Sequence, residues 1–136
     1  ILDRKPIQVF NHGDMKRDFT YVDDIVEGVI NVVENPAKPD LSWRPETGKS
    51  SKSKAPYAIY NIGNSNPISL MDFIKVIEDC LGLEAIMELL PLQPGDVPYT
   101  YADTGPLVND IGYKPNTSIK YGVGQFVNWY RKYYKV

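Results

Sequence analysis

The sequence predicts an α/β fold, on three observations. Short runs rich in β-branched and aromatic residues recur at 7–10, 19–22, 58–62 and 85–90, a composition suited to a pleated, half-buried surface. Among them lie longer stretches in which apolar residues return every three or four positions, the spacing of one helix face. The 136 residues suffice for one domain with its own core and fall short of two.

In chain order, Ile1-Leu2-Asp3-Arg4-Lys5 reads as the last turn of a helix stopped by Pro6, so the chain is expected to be a fragment of a longer protein. Strand 7–10 gives way to the turn cluster Asn11-His12-Gly13-Asp14. The chain then returns through Met15 and Lys16 into a strand at 19–22, and the two strands are expected to pair as a hairpin. Asp23 or Asp24 is expected to cap the next helix, because a carboxylate accepts the free N–H groups of the first turn and suits the positive end of the dipole. Ile25, Val29, Val32 and Val33 form the apolar face of this helix, opposite Glu27, Asn31 and Glu34. Its β-branched residues make it weak in isolation, so it needs something to pack on. Gly28 marks either a close approach to a neighbouring strand or a merely tolerated helix glycine.

Residues 36–56 turn to Pro, Ser, Lys and Gly, with Lys38, Arg44, Lys49, Lys52 and Lys54 set against Asp40 and Glu46. This is an exposed, basic loop in which Trp43 is the one residue able to dock back onto the body. Strand 58–62 ends at the turn signal Gly63-Asn64-Ser65-Asn66-Pro67. Ser69 then caps a helix with Leu70, Phe73, Ile74, Ile77 and Leu81 on one stripe, and Gly82 stands at the left-handed C-terminal cap. A strand at 85–90 leads into 91–98, which its three prolines and Gly95-Asp96 make a stiff extended loop. Asp103 is expected to cap a short helix through Leu107, Val108 and Ile111. The final helix begins at Thr117 or Ser118 and carries Ile119, Val123, Phe126, Val127 and Tyr130 at helical spacing. Gly122 and Gly124 each cost this helix about 1 kcal/mol relative to alanine, which suggests close packing there. Trp129, Tyr130, Tyr133 and Tyr134 complete an amphipathic terminal helix covering a core.

Composition narrows the function. A net charge of −2 offers no field for a nucleic-acid backbone, so no nucleic-acid partner is expected. There is no apolar segment of membrane-spanning length and no targeting pattern, so no membrane partner is expected either. The lone cysteine, Cys80, falls in a helical pattern as a packing residue and points to a reducing compartment, hence the cytoplasm. A single histidine, His12, rules out a multi-histidine metal site. Two residues could carry recognition. The planar fork of Arg17 suits a phosphate or a carboxylate, though a solvated surface charge fits the same residue. Asp96, held by a stiff loop, suits the two hydroxyls of a ribose, though a plain connector fits that loop as well.

Several stretches then carry a family resemblance. They are Ile7-Gln8-Val9-Phe10-Asn11, Arg17-Asp18-Phe19-Thr20-Tyr21-Val22-Asp23-Asp24-Ile25, Tyr60-Asn61-Ile62-Gly63-Asn64, Gln93-Pro94-Gly95-Asp96-Val97, Ala102-Asp103, Gly112-Tyr113-Lys114-Pro115 and Trp129-Tyr130. Together they make the chain resemble the C-terminal, substrate-binding part of an extended Rossmann-type epimerase of the short-chain dehydrogenase/reductase class, with the nearest likeness to UDP-glucuronate 4-epimerases. The resemblance implies a single incomplete domain over 1–136, with the loop 36–56 as a variable insertion. It further implies that Arg17 holds the diphosphate of a UDP-sugar, that Phe10 packs on the uracil beside the backbone of Gln8 and Val9, and that Asp96 binds the ribose. Gln93 stands where relatives often present an arginine to the phosphates.

The same resemblance implies interconversion of UDP-glucuronate and UDP-galacturonate by oxidation and re-reduction at C4, with NAD bound by an N-terminal half. Neither the glycine-rich dinucleotide loop nor a Tyr-x-x-x-Lys pair occurs in this sequence, so the chain alone is expected to be catalytically silent. Homo-oligomers through exposed apolar faces are expected. A UDP-glucuronate decarboxylase, a nucleotide-sugar dehydratase, or a non-enzymatic nucleotide-sugar-binding module are the alternatives, and the sequence upstream of Ile1 separates them.

Overall fold

The computed structural model describes residues 1–136, and its two ladders join stretches far apart in sequence. β1 (Ile7–Val9) lies parallel to β4 (Met87–Leu89), with Val9 opposite Leu89. β2 (Lys16–Arg17) pairs antiparallel with β3 (Ile68–Ser69), and Lys16 also bridges to Tyr99, so the segment around Tyr99 flanks β2. The expected hairpin between 7–10 and 19–22 does not form. After β1 the chain enters a 3-10 turn, Phe10–Gly13, in which Asn11 and His12 adopt φ 51° and 50°, and the His12 N–H donates to Leu90 O. The turn thus fastens the chain to the far end of β4, and period-two alternation says nothing about which partner a strand chooses.

Residues 19–22 are not a strand. Val22 already opens α1 (Val22–Glu34), with Tyr21 at the N-cap position and no side-chain cap. Asp23 and Asp24 lie in the first turn instead of capping it. Asp24 is only 6% exposed and accepts the Thr117 N–H at 3.1 Å and its hydroxyl at 2.8 Å, while Tyr113 donates to the Asp24 carbonyl at 2.8 Å. These bonds rotate the helix so that Asp24 and Gly28 face inward, while Val22, Val26, Val29 and Val33 are exposed, Val33 by 74%. The predicted apolar face is therefore split, with Ile25 and Val32 half-buried and Val29 and Val33 turned outward. Gly28 does mark a close approach, since a Cβ there would meet Ile62 at 3.0 Å and Tyr113 at 3.1 Å. Residues 58–62, expected as a strand, form only the isolated bridge Ala58 to Lys52, because a strand exists only where a neighbouring chain completes its ladder.

The locally signalled helices form as expected. The Ser69 hydroxyl accepts the Asp72 N–H at 3.0 Å to start α2 (Leu70–Leu81), which ends on Gly82 at φ 67°. Ser118 likewise caps α4 (Ile119–Tyr134), accepting the Tyr121 N–H at 3.3 Å, and α2 packs across α4. A Cβ on Gly122 would meet the Tyr21 ring at 3.1 Å, whereas Gly124 faces open space, so only the first glycine answers to packing. Between them, α3 (Gly105–Ile111) has Thr104 at its N-cap position; Asp103 sits one residue earlier and accepts the Gly105 N–H at 3.0 Å. Leu107 of α3 is fully buried and shares the small apolar core with Val9, Met15, Ile74, Val123 and Val127.

In the loop 36–56, the Trp43 indole donates to Lys49 O at 2.9 Å and covers Gly48, so Trp43 packs on its own loop rather than on the body. The loop is tied down elsewhere. Lys52 pairs with Asp110 at 2.8 Å, and Tyr60 donates to the same carboxylate at 3.0 Å. The Lys52 ammonium, and after it the Tyr60 hydroxyl, hold Asp110 below the usual carboxylate range.

Candidate functional site

Because β1 and β4 run parallel, their C-terminal ends lie at the same edge, where β1 enters Phe10 and β4 enters the 91–98 segment. Crevices outside the carboxyl ends of strands are where open α/β sheets take their ligands. β2 delivers Arg17 into this region: the Lys16 N–H donates to Pro98 O at 2.8 Å, and the Thr100 N–H donates back to Lys16 O at 3.2 Å. Gln93-Pro94-Gly95-Asp96 then closes a tight turn. Proline at its second place, Gly95 at φ 85° and the Asp96 N–H donating to Gln93 O at 3.1 Å mark it as type II. The outcome is a contact across 79 residues of sequence, with Arg17 Nη2 at 3.1 Å from Asp96 Oδ1.

The pair is partly sheltered, the Arg17 side chain 24% and the Asp96 side chain 33% exposed. Arg17 Nη1 donates to Lys16 O at 2.9 Å, and Asp96 Oδ1 also accepts the Val97 N–H at 2.9 Å. Arg17 Nε and Asp96 Oδ2 have no partner within the chain. Arg17 Nη2 also donates to Met15 Sδ at 3.9 Å, which leaves the Nε–H, beside a carboxylate with a free oxygen, to meet an anion at one end and a hydroxyl at the other.

Gln93 lies on the same turn as Asp96 and is exposed. Gln8 is exposed in β1, opposite Glu88, and Phe10 is half-buried at the start of the 3-10 turn; no hydrogen bond ties either of them to the Arg17–Asp96 pair. Asp18 carries no signal of its own in the sequence, yet its carboxylate gathers two separate backbone segments, at 65–66 and at 102. Oδ2 accepts the Ala102 N–H at 3.0 Å and the Ser65 N–H at 3.1 Å, Oδ1 accepts the Asn66 N–H at 3.4 Å, and the Asp18 N–H donates to Thr100 Oγ1 at 3.1 Å. Its partners are 47 to 84 residues away, so no local pattern could have signalled it. A recess of about 740 Å³ lies elsewhere, between the end of α1 and α3 beside Lys52, Tyr60 and Asp110, and includes neither Arg17 nor Asp96. No two glycines stand three residues apart in the sequence, so these residues do not build a dinucleotide cradle.

Comparison with known proteins adds the family. The NAD dependent epimerase/dehydratase family matches residues 1–63. An uncharacterised 37.6 kDa protein of Escherichia coli O111:H- is 54% identical over 136 residues, covering all of this chain and 41% of that protein. A probable UDP-glucuronate 4-epimerase of Rhizobium meliloti (strain 1021) is 38% identical over 132 residues, covering 96% of this chain and 39% of its own length. The crystal structure of UDP-glucuronic acid 4-epimerase from Bacillus cereus, in complex with UDP-glucuronic acid and NAD, superposes with a TM-score of 0.75 at 25% identity, over 97% of this chain and 37% of that one. The chain thus spans about two fifths of the length of the curated relatives it matches. Its first 63 residues thus match the NAD dependent epimerase/dehydratase family, and the chain as a whole is similar in sequence and in α/β architecture to UDP-glucuronate 4-epimerases along about two fifths of their length.

Proposed function

We propose that residues 1–136 form the UDP-sugar-binding portion of a NAD-dependent nucleotide-sugar epimerase that interconverts UDP-glucuronate and UDP-galacturonate at C4. The observation that carries this reading is the meeting of Arg17 and Asp96, which lie on the segments that follow the parallel strands β1 and β4. Arg17 would neutralise the diphosphate through charge-assisted bonds, and Asp96 would accept a ribose hydroxyl on its free oxygen. Phe10 would cover the uracil, with the backbone at Gln8 reading its edge and Gln93 lying against the phosphates. All of these contacts are remote from C4, so their binding energy serves to hold the hexose still for the reaction. NAD would supply the hydride exchange at C4, and since this chain builds no site for it, the chain's own contribution is to bind and orient. We place the protein in the cytoplasm.

The test is a calorimetric titration of the protein with UDP, UMP and uridine. Affinity is expected to rise with each added phosphate, by roughly tenfold per step if each gains about 1.4 kcal/mol from the guanidinium. Equal affinity for all three would remove Arg17 from phosphate recognition and the reading with it.

Two apolar faces bear on assembly. Val22, Val26, Val29 and Val33 line one side of α1, and Phe126, Trp129 and Tyr133 form an aromatic stripe along α4, Trp129 and Tyr133 stacked with centroids 5.3 Å apart. Surfaces of this kind favour burial against a second copy of the chain. Sedimentation velocity is expected to show dimers growing with concentration; a monomer that also fails to bind a hydrophobic dye would contradict this.

A further inference from the structure

We propose that Asp18 is a positioning residue that holds Arg17 and Asp96 in register with each other, and so favours ligands that engage both. This rests on the UDP reading given above. Arg17 precedes Asp18 directly, and Asp96 precedes Thr100 by four residues on the segment that Asp18 holds at two points. The Asp18 N–H grips Thr100 Oγ1 at 3.1 Å, and its Oδ2 grips the Ala102 N–H at 3.0 Å. The second half of the grip reaches the 63–66 turn, where Oδ2 accepts the Ser65 N–H at 3.1 Å and Oδ1 the Asn66 N–H at 3.4 Å. That turn is itself braced against the same strip of chain, Ser65 Oγ lying 2.9 Å from Ala102 O and 2.7 Å from Thr104 Oγ1.

A carboxylate is suited to this role because it accepts on both oxygens with no hydrogen of its own to place. An asparagine must turn an NH₂ group toward at least one backbone N–H, so the staple opens while size and shape are kept. Asp18 directly follows Arg17 in sequence, and both of its carboxylate oxygens are taken up by backbone N–H groups. Its effect should depend on whether a ligand engages one of the two groups or both. A ligand touching only the guanidinium or only the Asp96 carboxylate does not sense their separation, whereas one bridging the two pays for every misalignment through lost effective concentration.

The experiment measures dissociation constants for UDP, pyrophosphate and uridine by chemical-shift titration of the wild-type protein and of Asp18→Asn, Thr100→Val and Thr100→Ser. Asp18→Asn is expected to weaken UDP about tenfold and Thr100→Val about threefold, with pyrophosphate and uridine changed less than about twofold in either. Thr100→Ser keeps the hydroxyl that accepts the Asp18 N–H and should retain wild-type affinity for all three. Where Asp18→Asn does not fold, the Thr100 pair carries the test alone. UDP affinity unchanged in the folded variants, or all three ligands weakened by one common factor, overturns the inference while leaving the UDP reading standing. A wild-type protein that takes up no UDP overturns both.

Discussion

Replacing Leu107 with alanine is expected to destabilise the protein by about 2–5 kcal/mol, the cost of removing a fully enclosed leucine side chain together with the cavity left behind. Leu107 is 0% exposed and is the largest of the fully buried side chains, in a chain that buries only 12 residues. With so small a core, that loss is a large part of the roughly 5–15 kcal/mol that holds a typical domain together. The effect should reach the site. Leu107 anchors α3, and the residue before α3, Thr104, is 4% exposed and bonded to Ser65, which in turn donates to Asp18. Urea denaturation of the variant should show a lowered midpoint with an unchanged slope, and Leu107→Met should lose less than about 1.5 kcal/mol. A midpoint for Leu107→Ala within about 1 kcal/mol of wild type would mean that the helix does not seat through this residue.

Arg17→Ala is expected to weaken UDP binding by about 30- to 150-fold, equivalent to about 2–3 kcal/mol for charge-assisted hydrogen bonds in a partly sheltered site. Lysine keeps the charge and loses the fork, so Arg17→Lys should recover only part of the affinity. Stability should hardly move. The ion pair with Asp96 is a quarter to a third exposed, where such pairs contribute at most about 1 kcal/mol. The alanine variant therefore separates recognition from folding: calorimetry should show diminished heats against an unaltered thermal melt. Identical heats from variant and wild type would take Arg17 out of the site.

Much of the local architecture is legible in the order of residues. Ser69, Ser118 and Gly82 announce their helix ends because a cap is made within three or four residues, from one side chain or one backbone angle. The stiffness of 91–98 is legible from its prolines, whereas the extended course expected of it gives way at 93–96 to a tight turn, where glycine accepts a positive φ after proline. Misreadings gather where a partner lies far away. The period-two run 19–22 resembles a strand, but Tyr21 and Val22 are claimed by α1, whose orientation follows from the bonds between Thr117 and Asp24. Residues 58–62 have the composition of a strand and no ladder to join beyond a single bridge.

Residue order alone is enough for the α/β class, for the helix ends at Ser69, Gly82 and Ser118, and for Arg17 and Asp96 as separate candidates, since propensity, capping and turn geometry act over a few residues. The folded chain was needed to establish that β1 pairs with β4, that α1 turns Val22, Val26, Val29 and Val33 outward, and that Arg17 meets Asp96 with Asp18 bracing the segments around them. Those choices depend on hydrogen bonds and contacts between residues tens of positions apart, and such pairs leave no periodic trace in the chain that makes them.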